Sequence, residues 1–135
     1  MGFALKDKVL KGSKTLPNGA ATATLATFLD LEHGSRGDFL AHCELLLSAP
    51  ALNSTQLSDG KTMIYSILES DSSDGSNPTV LGAILTQTGA GGVGAAAATA
   101  TYRPRVDSKR YVGFKAVGST TGDATAATAT LEIVF

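Results

Sequence analysis

Along most of the chain apolar and small polar residues alternate with a period of two, the pattern of strands that bury one face. Residues 20–31 read AATATLATFLDL and alternate as far as Asp30. In 38–48, DFLAHCELLLS, one parity holds Phe39, Ala41, Cys43, Leu45 and Leu47, and the other holds His42, Glu44 and Leu46. Residues 61–69, KTMIYSILE, place Met63, Tyr65, Ile67 and Glu69 on one face and Thr62, Ile64, Ser66 and Leu68 on the other. Both faces are apolar there, which predicts a strand in the middle of a sheet. Further strands are predicted over 79–88, 95–102, 110–117 and 125–135, with an N-terminal one over 3–10, making about eight in all.

Turn chemistry separates these segments at 17–19, 33–37, 58–60, 74–78, 89–94, 106–108 and 118–123. No stretch carries convincing helical periodicity. Strands at this regular spacing predict an all-β fold, an antiparallel sandwich or barrel. At 135 residues the chain has the size of one domain. Residues 1–16 read as an N-terminal arm or first strand, and 17–135 as a single β-sandwich domain. Thr-Ala alternation recurs at 20–26, 95–101 and 124–130. Such small side chains bury little area each, so either contacts outside the chain add to stability or these are simply soluble outer strands.

Composition narrows the function more than the fold. Eleven Lys and Arg face twelve Asp and Glu, for a net charge of −1. That balance offers no basic face for nucleic acid and no acidic tail. A single cysteine, Cys43, excludes an intrachain disulfide. Every apolar run is too interrupted to span a bilayer, so no membrane partner is expected. The start, MGFALKDK, lacks the basic-then-apolar order of a signal peptide, and Lys6 stands where a myristoylation motif needs Ser or Thr. A soluble protein made and kept in the cytosol is the expectation.

Several motifs carry chemistry only by letter. Residues 89–94, GAGGVG, match G-x-G-x-x-G. The next segment reads as a strand, however, and Asp107 comes too early and Asp123 too late to hold a ribose. A flexible hairpin loop is the better reading. Arg36-Gly37-Asp38 and the sequon Asn53-Ser54-Thr55 need an extracellular route that nothing marks. Asp71, Asp74 and Asn77 read as a solvated hairpin tip, since their spacing departs from a calcium loop. His33, His42 and Cys43 are too few for zinc, and His42 and Cys43 point to opposite faces of one strand. Cys43 reads as a buried, inert thiol. No nucleophile elbow, zinc helix or P-loop is present, so no enzyme, metal or cofactor is expected. Tyr102, Arg103, Arg105, Lys109, Arg110 and Tyr111 form a basic, aromatic hairpin that reads as a protein contact or a solvated loop.

The last third of the chain combines Tyr102-Arg103-Pro104, the strand opening Ser108-Lys109-Arg110-Tyr111-Val112-Gly113-Phe114, a small-residue turn at 118–123 and a Thr/Ala strand over 124–135. Taken with Glu44-Leu45-Leu46-Leu47 and Tyr65-Ser66-Ile67-Leu68-Glu69, this order resembles the capsid cement (decoration) proteins of tailed bacteriophages over residues 20–135. The resemblance implies a β-sandwich of jelly-roll type and a virion structural protein assembled in the bacterial host cytoplasm. Such a protein docks on the outer surface of the phage head, bridges major capsid protein subunits and holds the shell against DNA pressure. Partners would be the major capsid protein and the chain itself, as a homodimer or homotrimer. Lys6, Lys8, Lys11 and Lys14 in the N-terminal arm, and Arg103, Arg105, Lys109 and Arg110 in the basic hairpin, are the candidate capsid contacts. The competing expectation is a carbohydrate- or receptor-binding β-sandwich module of a phage tail. The absence of Trp weakens that expectation, because sugars stack on exposed rings.

Overall fold

A computed structural model describes residues 11–31, 44–105, 108–119 and 122–134. The strand expected over 3–10, the Arg36-Gly37-Asp38 motif, His33, His42 and Cys43 lie outside the described residues, as do Lys6 and Lys8. Among the described residues there are nine strands and no helix: β1 (Lys11–Thr15), β2 (Thr22–Thr24), β3 (Leu29–Asp30), β4 (Glu44–Ala49), β5 (Thr62–Ser70), β6 (Thr79–Thr88), β7 (Ala98–Tyr102), β8 (Tyr111–Gly118) and β9 (Thr128–Val134). They form two antiparallel sheets in the orders β1-β9-β4-β7 and β2-β8-β5-β6, with β3 also pairing β8. Counting β2 and β3 as one interrupted strand leaves eight, and their order is that of two interlocked Greek keys. This is a jelly-roll sandwich.

One apolar core fills the space between the sheets. Leu45, Leu47, Leu131 and Ile133 from the first sheet meet Met63, Tyr65, Ile67, Phe114 and Ala116 from the second. The Thr/Ala strands divide their residues by face. Ala23, Ala129 and the half-buried Ala98 and Ala100 turn inward, while Thr22, Thr24, Thr99, Thr101 and Thr128 stay exposed. As the two apolar faces of its sequence require, β5 lies mid-sheet between β6 and β8.

Two expected hairpins are crossovers instead. The segments 89–97 and 103–110 join strands of opposite sheets, β6 to β7 and β7 to β8. Only partners in one sheet can form a hairpin, and local turn chemistry does not reveal which sheet the next strand enters. β5 and β6 do form a hairpin, through 71–78.

The break between β2 and β3 has a mechanical cause. Leu25 stands opposite Phe114, through its N–H at 2.9 Å from the Phe114 carbonyl, and Leu29 stands opposite Val112. Three residues on one side therefore face Gly113 alone. The excess chain bulges outward and lays the Phe28 ring over Gly113, where a Cβ would come within 2.5 Å of it. The Phe28 N–H donates to the Ser73 carbonyl at 2.8 Å, so the β5–β6 hairpin clasps the same ring. Leu68, whose partner on β8 is Gly113, is buried beneath it.

Candidate functional site

The connections of the sandwich gather at two ends of opposite character. At one end, the β7–β8 connection brings Arg103, Lys109 and Arg110 beside carboxylates from other parts of the chain, with Arg105 in the same connection. Arg110 makes a two-pronged pair with Asp30 on β3, Nε to Oδ1 at 2.9 Å and Nη2 to Oδ2 at 2.8 Å. Its guanidinium also lies 5.1 Å from the centre of the Tyr111 ring. Lys109 donates its main-chain N–H to Glu69 Oε2 at 3.0 Å and its Nζ to Thr79 Oγ1 at 3.2 Å, with Asp71 4.0 Å away. Arg103 stands 3.9 Å from Glu44. Ser108 clamps the turn: its hydroxyl accepts from the Arg105 N–H at 3.0 Å, and its own N–H donates to the Arg105 carbonyl. Arg103, Lys109 and Arg110 thus each stand near a carboxylate of the same chain. Lys11 and Lys14 sit far from them in sequence, on the edge strand β1, across from Glu132 and Ala129 of β9.

The opposite end joins segments 16–21, 50–61, 89–97 and 119–127, and the only charged residues in these stretches are Asp59, Lys61 and Asp123. Main-chain hydrogen bonds tie the segments to one another. Gly19 donates to Gly122 at 2.8 Å, Leu52 and Ala95 exchange both bonds at 2.9 and 2.8 Å, and Gly60 donates to Gly89 at 2.9 Å. Ser119 links the end to Thr62 through its N–H and hydroxyl. Gly89, Gly94 and Gly122 press against the carbonyls of Ser58, Leu52 and Thr55, where any Cβ would collide with main chain. The two carboxylates are turned to the same task. Asp59 accepts from the Gly92 N–H at 2.9 Å, and Asp123 accepts from the N–H and hydroxyl of Thr125 at 2.9 and 2.6 Å.

Among the described residues that last arrangement is used three times. Asn53 receives the N–H and hydroxyl of Thr55 at 3.0 and 2.6 Å, and Asp74 receives those of Ser76 at the same distances. Each is a side-chain-closed turn of the form Asx-x-Ser/Thr. The two hydrogen bonds, the hydroxyl's first, hold the Asp74 and Asp123 carboxyls below the usual range.

Between segments 50–61 and 89–97 lies an open dish of about 480 Å³ lined by Ala51, Leu52, Asn53, Gln56, Val93, Ala95 and Ala96. Val93 stands out from its wall, 76% exposed between Gly92 and Gly94, both at positive φ. A buried polar lock fixes the ground under the dish. Tyr65 Oη donates to Gln87 Oε1 at 2.6 Å, and Gln87 Nε2 donates to the carbonyls of Pro50 at 2.8 Å and Ala96 at 3.0 Å. One amide thereby holds both segments that form the dish. Sequence reasoning missed this site. Asn53-Ser54-Thr55 reads as a sequon, although its spacing is that of the turn repeated at Asp74 and Asp123. Among the described residues no three metal-binding side chains gather, and no helix could cross a membrane.

No family model matches the chain, and no curated protein is close enough in sequence to match it. Among solved structures it is faintly similar to infectious bursal disease virus, Gt strain, with 11% identity and a TM-score of 0.34 over 94% of this chain and 28% of that one. It is similar to the arabinosyltransferase EmbB of Mycobacterium smegmatis at 14% identity and 0.36, over 91% of this chain and 12% of that one. It is also similar to the EclA C-terminal domain, a sugar-binding protein, at 9% and 0.32, over 94% and 66%. The chain thus spans under a third of the first two structures. Likeness at this level does not bear on what the chain does.

Proposed function

We propose that this chain is a virion structural protein of the cement type, one that works by docking and not by catalysis. It binds the outer surface of an icosahedral phage head, bridges major capsid protein subunits and stiffens the shell against DNA pressure. The observation that carries this reading is the cross-tied, charge-poor end with its apolar dish. The centres of protein–protein contacts are depleted of charge and rich in apolar surface, and a docking face held rigid in advance loses little freedom on binding. Arg103, Lys109 and Arg110 at the other end stand near intrachain carboxylates, which suits them to holding the fold together. Many equivalent weak contacts on a symmetric shell add through multivalency, so each can be small.

Co-sedimentation with purified, expanded capsids is the test. A cement protein pellets with the shell and ignores a glycan array. A tail receptor-binding module would bind glycans and leave capsids bare, and clear turnover in a broad activity screen would return the question to enzymes. Deleting residues 1–10 leaves β1 intact and removes Lys6 and Lys8. Lost shell binding would make that segment a tether, and unchanged occupancy would remove it from the contact surface.

A further inference from the structure

The chain holds three asparagines, and they differ in the residue that follows them. Pro78 has no N–H, so nothing after Asn77 can attack its side chain. Ser54 sets a side chain beside the amide that follows Asn53, whose Oδ1 accepts three hydrogen bonds. Asn18 is exposed, and Gly19 after it adds no side chain. In water an asparagine so placed is attacked by the next main-chain nitrogen, which makes Asn-Gly the most labile such pair. Here that nitrogen is engaged. Gly19 donates its N–H to the Gly122 carbonyl at 2.8 Å, and Ala124 donates its N–H to the Pro17 carbonyl at 3.3 Å. Between those two bonds Asn18 and Asp123 stand across from each other as an isolated antiparallel pair. Gly19 is held at φ 73°, and its own carbonyl accepts from the Ala21 N–H at 2.9 Å.

We propose that Asn18-Gly19 is a site of spontaneous main-chain modification, gated by the Gly19–Gly122 hydrogen bond. When that bond opens, the Gly19 nitrogen gives up its proton and bonds to Asn18 Cγ. The Cγ–Nδ2 bond breaks, and the side-chain nitrogen leaves as ammonia with that proton. Water then adds to either carbonyl of the cyclic imide and opens it to aspartate or to isoaspartate. Nothing is oxidised or reduced. While the bond is closed, the attacking nitrogen keeps its proton and is tied to another segment, so the fold suppresses the reaction. Isoaspartate adds a carbon to the main chain, which prevents residues 17–19 from pairing with 122–124 in the old register. Either product sets a carboxylate opposite Asp123, and like charges directly across a strand pair are unfavourable. The amide does not re-form in water, so each molecule keeps a record of having opened at this end. The step needs no partner and holds whether or not the chain docks on a shell.

The full-length protein is incubated at mildly alkaline pH, folded or in guanidinium chloride, and then digested with trypsin. In the peptide over 15–36 Asn18 is the only side-chain amide, so its mass and chromatography report this site alone. Both states should yield the aspartate and isoaspartate forms, about tenfold to a hundredfold more slowly in the folded chain. Asp123→Ala removes the acceptor that closes the turn at Thr125 and should speed conversion of the folded chain several-fold. Asp123→Asn drops the charge but keeps the acceptor, and should match wild type. Asp74→Ala removes the same closure in the β5–β6 hairpin, at the other end of the sandwich, and should leave the rate unchanged. If Asp123→Ala does not fold, amide hydrogen exchange in the wild-type chain decides, with Gly19 protected about as strongly as Asn18 conversion is slowed. Equal rates folded and unfolded, no conversion in guanidinium chloride or an unprotected Gly19 amide would overturn the proposal. So would a folded Asp123→Ala chain that converts no faster than wild type, or equal acceleration by Asp74→Ala.

Discussion

Gln87 is almost wholly buried, and it is the amide on which two loops converge. Replacing Tyr65 by Phe leaves its Oε1 without a donor in an enclosed space, which should cost about 1–3 kcal/mol in urea denaturation. The same substitution has a signature at high pH. Burial pushes the Tyr65 phenol well above its ordinary value. Above about pH 10 the unfolded chain loses this proton while the folded one keeps it, so the contribution is complete below that pH and declines as pH rises. Stability should therefore fall less steeply in alkali for Tyr65→Phe than for wild type. Asp123 behaves in the opposite sense. Its folded pKa is depressed, so its contribution is complete above the unfolded value near 4 and is lost as pH falls through the folded value. Asp123→Asn keeps the accepting oxygen, as Asn53 does in the equivalent turn. It should match wild type in thermal melts at neutral pH while showing a flatter acid limb. None of this was legible in the sequence: a polar residue on the inward parity of a strand announces a need for partners without saying where they are.

At the scale of elements, legibility tracked how much of a strand's cause is local. β6 runs over 79–88 as read, because Pro78 and Gly89 bracket it and its composition favours strand. β1, KGSKT, has no apolar alternation; it lies within the segment 1–16 read as an arm or first strand, beyond the strand expected over 3–10. It exists because β9 offers it a ladder, and its two lysines and short length suit an unpaired outer edge. β6 guards its own edge differently, with register shifts that leave Ile84 and Leu81 as extra residues around Gly82, which sits at φ 132°. The bulge between β2 and β3 was hidden because the alternation of 20–31 runs straight through it. Gly113 is the element-level test. Gly113→Ala should destabilise by about 1–3 kcal/mol by driving the Phe28 ring off the sheet. In a Phe28→Ala background the added methyl should be nearly neutral, and a double-mutant cycle by denaturant unfolding measures the difference.

Across the described residues, the connections sort their charge by end, and each end supports a different expectation. Arg110→Lys loses the two-pronged match to Asp30 but keeps the charge, and at a half-exposed pair the loss should stay within about 1 kcal/mol. Charge reversal at Arg105 and Lys109 should leave shell binding intact if the charge-poor end docks, and lowered binding in a co-sedimentation assay would move the contact to the charged end. The all-β sandwich was legible from period-two patterning. The division into ends was not, because it depends on which connections cross between sheets. The order of the sheets also sets a schedule. β9 lies between β1 and β4, and β8 lies between β2 and β5, so the ribosome makes the middle of each layer after the strands it separates. A nascent chain stopped short of Tyr111 holds flanks with nothing between them. Folding must wait until β8 and β9 have been made, and the exposed strands until then are a task for chaperones.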